Sequence, residues 1–191
     1  MNKISRKAWQ FYTRVFMSPS FMRIGKKSVI IKPLQIDSAK SIEIEDNVSI
    51  YHFAWLMGNK QAGQKTLTVQ SGTTIGHYAH IIAMHSMTIE QNVLIADKVF
   101  ISDCTHSYED INKPVIRQEV VKELSPVVIG EGSWIGENVC ICGASVGKHC
   151  VIGANSVVTS DIPDYSVAVG SPARVVKKYD LNSNEWKKVI E

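Results

Sequence analysis

Aliphatic residues recur every six positions along most of this chain. Ile129-Gly130-Glu131-Gly132-Ser133-Trp134 is followed at once by Ile135-Gly136-Glu137-Asn138-Val139-Cys140, and the same hexad starts again at Ile44, Ile50, Ile89, Ile95, Ile101, Val146 and Ile152. A small or apolar residue sits four places after each, as at Val48, Ala54, Val93, Val99, Cys150 and Ser156. A period of six matches neither an amphipathic helix at 3.6 nor a half-buried strand at two. It matches a coil with three flat sides, one hexad per side, and hexapeptide repeats of this kind predict a parallel β-helix. Each Ile or Val then points into a prism and stacks on its equivalent one coil away, at the ~4.8 Å spacing of paired strands. Gly directly after the aliphatic residue suits a corner that needs an unusual backbone angle. A β-sandwich would instead alternate with period two and turn every ~8–12 residues.

Two breaks interrupt the period. The first, over 57–66, is short and polar. The second, over 106–126, is longer and carries Tyr108, Glu109, Asp110, Pro114 and Arg117. Insertions in stacked repeats usually build a binding face. A missing residue between Ile141 and Val146 predicts a tighter corner there. The spacing of Ile4, Ala8, Phe11, Tyr12 and Val15 predicts a short amphipathic helix within residues 1–20, ending before Pro19. Such a helix can cap the open end of a prism or rest on a membrane surface. The organisation expected is a single domain, 1–191, with its coils over 24–158. A tail over 159–191 should be extended around Gly170–Lys178 and close with a helix over 183–191, N-capped by Asn182 or Ser183.

Composition narrows this reading little. The 191 residues suit one domain, and a net charge of +3 does not point to nucleic acid. No apolar run reaches the length of a membrane span, and no apolar signal core follows the basic start. A cytoplasmic location is the expectation, with contact at the inner face of the membrane through residues 3–17 as the alternative to capping. The four cysteines, Cys104, Cys140, Cys142 and Cys150, have no CxxC spacing and read as reduced thiols, with Cys150 a small buried corner residue.

His106 stands at the mouth of the long break. An imidazole there is placed to meet a ligand and to accept a proton near neutral pH, and equally could be a solvated loop histidine. His77, His80 and His85 form a second cluster.

The hexads, Thr105-His106 before the long loop, Trp134-Ile135-Gly136-Glu137-Asn138-Val139, and Val151–Thr159 followed by Gly170-Ser171-Pro172-Ala173-Arg174-Val175 together resemble the left-handed β-helix acyltransferases. The resemblance spans roughly residues 69–178. It is nearest to the group of maltose, galactoside and capsule or O-antigen O-acetyltransferases. It implies a homotrimer with active sites between subunits, acetyl-CoA as acyl donor, a carbohydrate acceptor and no metal. In that family a histidine at the His106 position is the general base that activates the acceptor hydroxyl. The resemblance likewise implies that Trp134, Ala154, Thr159, Arg174 and Lys177 hold the cosubstrate. His80 and His85, with Tyr108 and Glu109 of the loop, fall to the acceptor side. Many polysaccharide-modifying members carry Asp-His-x-His here, whereas this chain reads Asp103-Cys104-Thr105-His106. The family position near His80 is an Asn, so the sugar is not named by the match.

Three other readings compete. The first is N-acetylation of an amino sugar or xenobiotic. The second is a γ-type carbonic anhydrase-like metalloenzyme, suggested by the i, i+5 spacing of His80 and His85. The third is a non-catalytic glycan-binding scaffold.

Overall fold

The computed structural model describes residues 3–59, 63–121 and 126–189. Residues 60–62 of the first loop, 122–125 of the second, and the outer ends of the two expected helices, 1–2 and 190–191, lie outside the described residues. Three parallel sheets wind around one apolar core. Their register follows the hexads. On the second face Ile30, Ile50, Ile75, Ile95, Ile135 and Ile152 stack in that order. On the first face Ile24, Ile44, Val69, Ile89 and Ile129 do the same. On the third face Ile36, Leu56, Ile81, Ile101, Ile141 and Val158 complete the ladder. All but Ile24 and Ile36 have no measurable exposure. Full burial of one such side chain is worth ~1.5–3 kcal/mol, so the ladders dominate the stability of the fold. The residues four places on, such as Ala54, Ala79, Val99 and Ser156, are also fully buried, because two faces converge at that point.

The sides are not equal. Two take a hexad, but the third takes eight residues in most of the early coils, as from Ile36 to Ile44 and from Ile81 to Ile89. Both loops also leave from this third corner, between the third and first faces. After the long loop the coil shortens. Gly143 adopts φ 60° and its N–H meets the Ser102 carbonyl at 2.9 Å, forming the tight corner expected before Val146.

The unusual backbone angle does not fall on the residue after the aliphatic one. It falls three places after, at Asn47, Phe53, Tyr78, Asn92, Lys98, Asn138 and Asn155, all with positive φ. The glycines after the aliphatic residue answer a different need, which is close stacking of coils. A Cβ on Gly130 would lie 2.4 Å from the Gly147 carbonyl carbon, and one on Gly136 would lie 2.7 Å from the Ala154 nitrogen.

Both ends are covered, though not as the pattern suggests. The N-terminal helix, Lys3–Tyr12, runs on through a π-turn, Thr13–Met17, and a 3-10 turn, Ser18–Ser20. It meets the first coil with polar groups. The Thr13 hydroxyl is fully buried and accepts the Ile30 N–H at 3.1 Å, while the Gln10 amide donates to the Lys27 carbonyl at 2.8 Å. Phe21 and Met17 supply the apolar plug. The stripe Phe11, Tyr12 and Val15, expected to cap the prism, faces away from it and is exposed. At the other end no helix forms over 183–189. Glu185–Lys188 is a strand paired antiparallel with Arg174–Asp180, Tyr179 opposite Trp186. A nine-residue helix is marginal by itself, whereas the edge of the second sheet offers ready partners. Of the tail expected to be extended over Gly170–Lys178, only the part from Arg174 is; residues 170–173 form the turn that reverses the chain after Ser166–Val169. Among the described residues no helix is long and apolar enough to cross a membrane.

Candidate active site

The third corner carries the candidate chemistry. Asp103, the residue at which the long loop leaves, is fully buried. Its carboxylate accepts the backbone N–H groups of Met84 at 2.7 Å, His85 at 2.9 Å and Ser86 at 2.8 Å. It therefore pins the corner of one coil to the next. Three amides on one carboxylate form a charge-assisted set, each bond stronger than a neutral one. Its role is therefore that of an anchor, the carboxylate being turned inward from the bend that follows the strand Phe100–Ser102.

His106 lies three residues beyond this anchor. Thr105–His106 pairs antiparallel with Val120–Val121, so the loop leaves and returns as a short ribbon. Ser107 N–H reaches the Glu119 carbonyl at 2.9 Å. The His106 side chain is exposed. The loop beyond it is ordered by one side chain. Gln118 donates to the carbonyls of Asp110 at 2.9 Å and Lys113 at 2.8 Å, and its amide oxygen accepts from the Asp110 N–H at 3.2 Å. Neither the ribbon nor the Gln118 stitch was legible in the sequence, since two-residue strands and a single Gln leave no periodic trace. The loop holds Tyr108 and Glu109 outward, with Ile111 93% and Ile116 88% exposed, an apolar tip that one chain leaves uncovered.

The other site residues are spread. His85 shares the third corner with His106 and is exposed. His80 is at the start of the third face, opposite Phe100 and Trp55, with its ring edge-on to the Trp55 indole. It is therefore separated from His106 by the length of that face. Trp134 is on the second face between Leu94 and Val151, outward and 50% exposed. Lys177 belongs to the same face, reached through Val151 and Val167. Arg174 pairs with Val169 at its edge. Ala154 is exposed on the corner between the second and third faces, and Thr159 is exposed where the third face ends. In a three-sided prism the third corner is the vertex opposite the second face. One chain thus holds His106 on one side and Trp134 with Lys177 on the other.

Three thiols gather beside the loop. The Cys140 and Cys142 sulfurs are 3.5 Å apart, and the Cys104 sulfur is 3.4 Å from the Ser102 hydroxyl. Burial, then Cys140 and Cys104 nearby, push the Cys142 thiol up to about 11. Burial also raises Cys104. Thiols shifted upward hold little thiolate at neutral pH, which argues against Cys104 as a nucleophile. Cys150 is buried, with its sulfur against the Pro163 carbonyl, as its corner position suggested. Among the described residues no three His, Cys, Asp or Glu side chains converge as metal ligands, and His80 and His85 occupy opposite ends of one face.

Comparison with known proteins places this geometry. Residues 126–160 match the family model described as the hexapeptide repeat of succinyl-transferase. WbbJ of Escherichia coli K12, named for lipopolysaccharide biosynthesis O-acetyl transfer, is 36% identical over 132 residues, covering 66% of this chain and 67% of that protein. Rv3034c of Mycobacterium tuberculosis, named as an acetyltransferase, is 45% identical over 95 residues. That match covers 49% of this chain but 31% of the mycobacterial protein. Among solved structures, AntD, an N-acyltransferase from Bacillus cereus in complex with dTDP and 3-hydroxybutyryl-CoA, superposes with a TM-score of 0.72. It is 20% identical over 86% of this chain and 87% of that one. VCA0836 of Vibrio cholerae, a hexapeptide-repeat acetyltransferase complexed with acetyl coenzyme A, gives 0.58 at 22% identity over 93% and 87%. At these identities the two structures speak for the fold. The identity and coverage shared with WbbJ, on a prism built from these hexads, make this chain a member of the hexapeptide-repeat acyltransferase family.

Proposed function

We propose that this protein transfers an acetyl group from acetyl-CoA to a hydroxyl of a sugar or polysaccharide precursor, with His106 as general base. The observation that carries the reading is His106 itself, an exposed imidazole on a ribbon whose root is fixed by the buried Asp103. A base must be held still to be effective, and well-placed general bases contribute ~10²–10⁴-fold. In the step, the acceptor O–H gives its proton to the imidazole while the oxygen attacks the thioester carbonyl carbon. The C–S bond then breaks, and the imidazolium returns the proton to the departing thiolate.

Within this reading Trp134, Ala154, Thr159, Arg174 and Lys177 serve the cosubstrate. Arg174 and Lys177 suit nucleotide phosphates and Trp134 suits the pantetheine arm. His80, His85, Tyr108 and Glu109 serve the acceptor, with His85 on the same corner as the base. Because His106 and Trp134 are on opposite sides of the prism, a site containing both is composed of two chains, which supports a homotrimer with its sites at the subunit boundaries. WbbJ's name and the acetyl-CoA and dTDP complexes of the fold relatives support the donor and a carbohydrate acceptor.

The test is acetyl transfer from labelled acetyl-CoA to a panel of mono- and oligosaccharides, with the product located by mass spectrometry and NMR. The expected product is an alkali-labile ester. An alkali-stable amide would move the assignment to N-acylation, and hydrolysis with no carbohydrate product would overturn the acceptor class.

A further inference from the structure

Eight of the 21 Lys and Arg residues precede Asp37, and no Asp or Glu does. The remaining 13 face all 18 acidic residues, so a strongly basic N-terminal end is attached to an acidic body. The structure adds the orientation of the helix. Its polar side, with Gln10 and Thr13, is tied to the first coil. Its apolar stripe points outward, with Phe11 65% and Phe16 63% exposed and Tyr12 and Val15 beside them. Positions 8, 11, 12 and 15 form one continuous row on a helix, so this is a single apolar stripe and not scattered side chains. Beside it, Phe11 and Arg14 line a groove of about 350 Å³ with Lys26 and Lys27 of the first corner.

We propose that this end of the prism seats on an anionic lipid surface. Phe11, Tyr12, Val15 and Phe16 enter the interface, and Lys7, Arg14, Lys26 and Lys27 meet the headgroup phosphates. An aromatic-aliphatic row beside clustered cations is the composition of an interfacial helix. A two-fold contact between copies through the same stripe would bring Lys7, Arg14, Lys26 and Lys27 against the same four cations, which the charge disfavours. The acidic body is repelled by the same surface, so the molecule arrives end-on with the loop-bearing corner free. Lipid contact does not depend on the acyl-transfer chemistry and can be read without it.

The full chain is sedimented with vesicles of phosphatidylcholine alone or with one-third phosphatidylglycerol. Binding should be at least about tenfold tighter to the anionic vesicles and should weaken as salt is raised. Phe11→Ser and Phe16→Ser should each weaken it by about tenfold, as expected for loss of a buried aromatic. Lys26→Gln and Lys27→Gln should each weaken it by about fivefold. All four positions are exposed, so thermal stability should hardly move. Equal binding to neutral and anionic vesicles, no binding to either, or full binding by Phe11→Ser would overturn the proposal. A fall in solution mass for Phe11→Ser would also overturn it, assigning the stripe to a contact between copies.

Discussion

The second corner of the prism repeats and the third does not. At the second, between the second and third faces, successive coils place Phe53, Tyr78, Lys98, Asn138 and Asn155 at equivalent positions, all left-handed. Phe53 stacks on Tyr78 with ring centroids 5.1 Å apart, and His52 stacks on His77 at 5.4 Å. Asp97 accepts from the His77 backbone N–H at 2.7 Å. A left-handed aromatic residue costs ~1–3 kcal/mol, and the ring pair returns ~0.5–1.5 kcal/mol. The fully buried ladder underneath carries the rest. At the third corner the root is tied through Asp103, and the chain beyond it departs for a long excursion. A corner closed in every coil builds stability. A corner that opens twice leaves backbone free to carry an imidazole outward without disturbing the stack.

The strongest way to break this comparison is to remove the imidazole. His106→Ala should lower kcat by ~10²–10⁴-fold and leave the melting temperature unchanged. Mixed with Trp134→Ala, after unfolding and reassembly together, part of the activity should return, because some boundaries then pair one intact His106 with one intact Trp134. Failure of the mixture to exceed either variant alone would show that the two residues do not share a site.

Asp103→Asn tests the root. An amide cannot receive three N–H donors as a carboxylate does, and its NH₂ adds a fourth donor. Loss of about 3 kcal/mol of stability is expected, read by denaturant titration, together with a lower kcat as the ribbon shifts. A fall in kcat with unchanged stability would give Asp103 a direct part in the chemistry instead.

The smallest effect belongs to the second corner. Ala79→Leu overpacks a fully buried corner position and should cost ~1–3 kcal/mol, while the rate per folded molecule stays within about twofold of the parent. A large loss of rate in that variant would mean that the repeating corner is coupled to the site.

Much of the prism could be read before any coordinates, because a six-residue period is local and each coil repeats it. Ile44, Ile50, Ile89, Ile95, Ile129 and Ile135 announced the ladder, and Val48, Ala54 and Ser156 announced its corners. The position of His106 at the mouth of the long loop was equally visible. The octads of the third side were present in the spacing from Ile36 to Ile44, but nothing local distinguishes an extra pair of corner residues from a slip of phase.

What the amino-acid order determined by itself is the core, the six-residue period and the place where the repeat opens, since these depend on neighbours a few residues apart. Tertiary structure alone decided that Asp103 grips three amides of the preceding coil, that Glu185–Lys188 takes a sheet edge, and that the apolar stripe of the first helix looks outward. It alone set His106 opposite Trp134. Each of these depends on which surface meets a residue outside its own hexad, or on which polar group a coil end leaves unpaired, and a local pattern carries no record of either.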